Sequence, residues 1–118
     1  GGTGASTAAA AIAALTGMAL PSAITYASNT ISASIVCPDG TTLLIQGGTG
    51  SIAGNTTGSI TFATAYSVAP VCVAGGGHTN TSKEGDVHVT GAASTTAIAI
   101  ANSTDSTCTY TWAAFGKA

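Results

Sequence analysis

A chain of 118 residues carries 2 Lys+Arg against 4 Asp+Glu, so 5% of it is charged and its formal net charge is -2, where a soluble domain usually carries about 25% charged residues. Two cations cannot neutralise a phosphate backbone or hold an anionic membrane surface, which excludes nucleic acid and a polybasic membrane patch as partners. The 24 Ala, 16 Gly, 21 Thr and 12 Ser leave 9 Ile, 6 Val, 4 Leu, 2 Phe, 3 Tyr, 1 Trp and 1 Met to form a core, so a lone copy is marginal and its stability leans on neighbouring copies.

The chain opens on a flexible Gly1-Gly2-Thr3-Gly4, after which Ser6 or Thr7 can cap a short Ala-rich helix over residues 8–15 that Gly17 and Pro21 stop. This apolar run has no basic residue before it and falls far short of the roughly 20 residues of a membrane span, so neither a signal segment nor membrane insertion is expected. Residues 31–37 alternate with period two and read as a strand, closed by the turn residues Pro38-Asp39-Gly40. A short apolar strand over 42–46 follows, and Gly47-Gly48-Thr49-Gly50 reads as a loop. From residue 57 onward short strands recur at the spacing of an all-β fold, over 58–63, 70–74, 86–90, 97–101 and 107–115. The expectation is an all-β protein, a small antiparallel β-sandwich over 31–118, preceded by an N-terminal connector over 1–30 that is helical or extended.

The longest polar loop, over 75–85, is the first place to look for a ligand. With its flanks it supplies the candidate binding residues His78, Thr79, Asn80, Lys83, Glu84 and Asp86. Glu84 and Asp86 are the only carboxylates close in sequence, and beside Lys83 they read as a solvated turn rather than an acid/base pair or a Ca²⁺ loop. His78 and His88 have no carboxylate at ligand spacing, and the one metal arrangement open to them is three copies of His88 around an axis. No G-x-S-x-G elbow occurs, and Gly75-Gly76-Gly77 is not followed by Lys-Ser/Thr. The sequence therefore names no catalytic residue, no metal and no cofactor. Cys37, Cys72 and Cys108 form no CxxC pair, and two readings stay open for them: buried small hydrophobes, or disulfides within or between chains. Trp112 reads as core filler ahead of a sugar-stacking platform.

Three blocks carry a resemblance: Leu44-Ile45-Gln46-Gly47, the stretch 58–72 around Ile60-Thr61-Phe62 and Ala69-Pro70-Val71-Cys72, and the closing Trp112-Ala113-Ala114-Phe115-Gly116, with Gly1-Gly2-Thr3-Gly4-Ala5-Ser6-Thr7 ahead of them. In this order they resemble the C-terminal β-domain of bacteriophage tail fibres and, more loosely, the H-type lectins. The resemblance implies a non-enzymatic virion protein, a homotrimer whose β-domain projects outward to meet host-surface polysaccharide or protein and whose N-terminal segment meets other virion proteins. It also implies synthesis in the bacterial cytoplasm. A head fibre or capsid decoration, an extracellular filament subunit and a secreted trimeric lectin-like module are the alternatives. In the helix over 8–15, Ala8, Ile12 and Leu15 share one face and suit either a three-stranded seam or an anchor on another protein.

Overall fold

The computed structural model describes residues 20–78 and 83–118. The expected helix over 8–15 lies outside the described residues. Eight strands make up the rest: β1 (Leu20–Tyr26), β2 (Thr30–Val36), β3 (Thr42–Ile52), β4 (Thr56–Thr61), β5 (Val71–His78), β6 (Val87–Val89), β7 (Ala97–Asn102) and β8 (Cys108–Lys117). They form an antiparallel five-stranded sheet of order β1-β2-β3-β8-β5 and a three-stranded sheet of order β4-β7-β6, a β-sandwich with no helix among the described residues.

β1 lies inside the stretch expected to be connector. Its alternating Ala23-Ile24-Thr25-Tyr26 suits a pleated surface, and Pro21 is tolerated because β1 is an edge strand with a register shift between Pro21 and Ala23. The β2–β3 turn is tied by the Asp39 carboxylate, which accepts hydrogen bonds from the Thr41 hydroxyl at 2.6 Å and the Thr41 amide at 2.9 Å. Gly40 takes φ +86° there, a backbone region that favours glycine.

The largest departure from the sequence reading is β3, which runs straight through the expected glycine loop and pairs with β8 from Leu43 to Ile52. A methyl group added at Gly48 would lie 2.9 Å from the Trp112 indole nitrogen, and one at Gly50 would meet the Tyr110 phenol. The two rings lie over the bare backbone and take the place of the missing side chains, so glycine here is strand-compatible. Gly75-Gly76-Gly77, also expected as a loop, lies inside β5 and pairs with Thr111, Tyr110 and Thr109.

Between the sheets lie Leu44, Ile52, Ile60, Phe62, Tyr66, Val87, Ile98, Ile100, Cys108 and Ala114. Phe62 meets Tyr66 edge-on at 5.2 Å and Trp112 at 5.8 Å. Gln46, 2% exposed, closes the sandwich: its amide donates to Thr64 O at 2.9 Å and its carbonyl accepts from Thr64 N at 3.0 Å. Tyr66 Oη donates to Ala114 O at 2.9 Å. These bonds pin the crossing from β4 to β5, and burial raises the Tyr66 phenol above its ordinary value.

The register also gives the sandwich two ends. Leu20, Thr42, Val71 and Lys117 lie at the near end, where the described chain starts and finishes. Ile52, His78, Asn102 and Cys108 lie at the far end, with the segments 53–55, 83–86 and 103–107.

Candidate functional site

Lys, Asp, Glu and His side chains are scarce in this chain, and the fold gathers them. Of 2 Lys+Arg, 4 Asp+Glu and 2 His, only Asp39 and Lys117 lie at the near end, while His78, Lys83, Glu84, Asp86, His88 and Asp105 lie at or beside the far end. Lys83, Glu84 and Asp86 are exposed. The Asp86 carboxylate lies 3.1 Å from His88 Nδ1. His78, expected in the polar loop, instead ends β5 opposite Cys108, with its side chain 4% exposed and Nε2 4.0 Å from the exposed Asp105 carboxylate. Thr79 and Asn80 lie outside the described residues. No three His, Cys, Asp or Glu side chains converge among the described residues.

Asn102 holds this end together, and the sequence reading passed over it. It is 2% exposed. Its Nδ2 donates towards Ile52 O at 3.1 Å, Ala53 O at 3.1 Å and Ser106 O at 2.9 Å, while Oδ1 accepts from Thr104 N at 3.0 Å and Thr104 Oγ1 at 2.7 Å. One amide thereby ties the β3–β4 turn to the loop that presents Asp105. The local signal is the polar run Asn102-Ser103-Thr104-Asp105-Ser106, the composition of an Asx turn. The partner turn is remote in sequence.

Trp112 packs against the core as expected, and its exposed part borders a cleft of about 150 Å³ with Thr25, Ser32, Gln46 and Thr61 around it. All three cysteines are free in this chain. Cys37 and Cys72 are half-buried, and burial pushes the Cys72 thiol up. Cys108 is fully buried, 3.3 Å from Thr104 Oγ1, and would have to leave the core to reach a second chain.

The five-stranded sheet turns its other face away from the three-stranded one. Directly paired residues share a face, so the register places Ile24, Ala33, Ile45, Phe115 and Val71 in one row across all five strands. Tyr26, Ile31, Gly47, Ala113 and Val73 form the next row. Toward the far end the face changes to Thr49, Thr111 and Gly75, then Ser51, Thr109 and Gly77. The apolar rows are uncovered, with Tyr26 at 74%, Val71 at 63% and Val73 at 57% exposure.

Residues 36–117 match the family model of the gp53-like tail fiber protein, C-terminal. No curated protein matches the sequence. Among solved structures the chain is similar to the P. aeruginosa R2 pyocin fiber fragment, with a TM-score of 0.66 and 24% identity over 98% of this chain and 31% of that one. It is also similar to the N-truncated R1-type pyocin tail fiber, with a TM-score of 0.61 and 21% identity over 96% of this chain and 98% of that one. The chain thus spans about a third of the R2 fragment, and these likenesses carry the fold. The family model covers well over half of the chain, from the end of β2 to Lys117, and on that ground the chain belongs to the gp53-like tail-fibre C-terminal family.

Proposed function

We propose that this chain is a non-enzymatic fibre subunit of a phage or phage-tail-like particle, that it assembles as a homotrimer, and that its far end meets the host surface. The observation that carries the reading is the polarity of the sandwich: a family domain of tail fibres has six of its eight Lys, Asp, Glu and His side chains at the end opposite the one where the described chain starts and finishes. A surface polysaccharide or protein offers hydroxyls and scattered charges, which Lys83, Glu84, Asp86 and Asp105 can meet with charge-assisted hydrogen bonds. The N-terminal segment then serves as the virion-proximal connection to other virion proteins. A bond between chains falls to Cys37 or Cys72, the two half-buried cysteines, and the fibre is made in the cytoplasm of the bacterial host before it joins the particle.

Competition tests the attachment role. Purified chain should block adsorption of the parent particle to susceptible cells. Joint replacement of Lys83, Glu84, Asp86 and Asp105 by Ala should weaken blocking at least tenfold while circular dichroism is unchanged. Undiminished blocking by the quadruple variant would move the attachment surface elsewhere.

A further inference from the structure

We infer that the outer face of the five-stranded sheet is the internal core of the assembled fibre, where three copies pack their apolar rows around a common axis and turn their three-stranded sheets to solvent. This deepens the homotrimer reading and rests on it. The first argument is area. At the recorded exposures, the seven large side chains of this face that are more than a third exposed leave roughly 700 Å² per chain uncovered, close to the roughly 800 Å² per partner of a standard stable interface and above the largest patch of a typical monomer. No charged side chain lies in either apolar row, and the nearest, Lys117, pairs with Leu43 at the rim. A partner recognised by charge finds nothing to bind there, whereas an identical uncharged face does.

The second argument is geometric. Five strands about 4.8 Å apart make a face about 24 Å wide, and three such faces closed into a triangular prism put each central strand about 7 Å from the axis. That is the reach of one large side chain. The central strand is β3, with Ile45 in the middle of its row and Gly47 in the next. In the row of Gly47 the larger groups stand away from the centre, Tyr26 on β1, Ile31 on β2 and Val73 on β5. The unpaired edges of the sheet are β1 and β5, and both start at the near end. Around a threefold axis β1 of one copy therefore stands beside β5 of the next in parallel, so that closure covers both edges, the usual hazard of an open sheet.

The test is the light-scattering mass of the full 118-residue chain beside its circular dichroism. The native chain should weigh three times 11.2 kDa. Val73→Lys and Phe115→Lys, both at exposed positions, should give monomers with an unchanged β-sheet spectrum. Ala99→Lys, exposed on the middle strand of the other sheet, should stay trimeric. A monomeric native chain, trimers that survive both outer-face lysines, or dissociation by Ala99→Lys alone would each overturn the inference. The fibre reading fails separately: a chain that trimerises through this face but is missing from purified parent particles refutes the fibre role and leaves the interface standing.

Discussion

The two faces of the five-stranded sheet are built from the same strands and differ in how they are finished. On the inner face the apolar groups Leu44, Ile52, Cys108 and Ala114 are sealed by the three-stranded sheet, and the polar exception Gln46 donates to and accepts from the Thr64 backbone. On the outer face a comparable set of apolar residues is left in the open, with no polar network to close it. A chain this poor in large side chains does not leave them exposed at no cost, since each Val, Ile or Phe contributes about 1.5–3 kcal/mol when fully buried. One face specifies the fold of the chain and the other its association, and substitutions should separate the two.

The sharpest separation comes from Ile98, 0% exposed at the centre of the sandwich. Ile98→Ala should cost about 2–5 kcal/mol, enough to unfold much of a chain whose whole stability lies in the usual range of about 5–15 kcal/mol or below it. The urea midpoint followed by circular dichroism reads this directly. Phe115→Ala removes a larger side chain from the outer face, yet it should move the midpoint of a monomeric background much less while lowering the mass of the assembly. Equal loss of fold from both would erase the distinction between the faces.

Asn102→Ala comes next. It removes a donor from the carbonyls at Ile52, Ala53 and Ser106 and the acceptor from the Thr104 amide at one stroke, with an expected loss of about 2–3 kcal/mol, the usual penalty for stranded buried polar groups. Hydrogen exchange should show the loosening concentrated in 53–56 and 103–107, because that is where the amide reaches. Gly50→Val should cost about 1–3 kcal/mol, as overpacking does, by displacing the Tyr110 ring that lies on Gly50. The near-isosteric Tyr110→Phe should leave the fold intact.

These same residues show what a sequence can and cannot disclose. Residues 31–37, 97–101 and 107–115 alternate in the pattern of half-buried strands, and β2, β7 and β8 lie there within a residue or two. The run in β5 misled because strand pairing presses Gly76 onto the Thr109 backbone, and the run in β3 because glycine next to glycine is a loop signal unless a ring from elsewhere covers it. The rings are Tyr110 and Trp112, sixty residues downstream, brought over β3 only by the β3–β8 register. The same holds at the far end. Lys83, Glu84 and Asp86 are legible as a polar stretch, but their company with Asp105 follows from strand pairing, and Asn102 looks like any turn asparagine until its remote partners are placed. The uncovered face was hidden for a related reason: Ile24, Ala33, Ile45, Phe115 and Val71 come from five separate segments and become a row only when the sheet is assembled.

The smallest of the expected effects bears on how the sheets are locked together. Tyr66 sits 3% exposed with its hydroxyl on Ala114 O, and burial raises its pKa above the ordinary 10.0. Above pH 10 the unfolded chain sheds this proton while the folded chain keeps it, so the unfolded state binds fewer protons and stability falls as pH rises from there toward the folded value. Below pH 10 the contribution is fully present. Tyr66→Phe removes one hydrogen bond and should cost about 1 kcal/mol at neutral pH, and it should also flatten the alkaline decline between pH 9 and 11 without touching the acid side. The ring contact with Phe62 survives in that variant, so a midpoint loss well beyond this, or an alkaline decline as steep as in the native chain, would show that the phenol oxygen is not what fastens the β4–β5 crossing to β8.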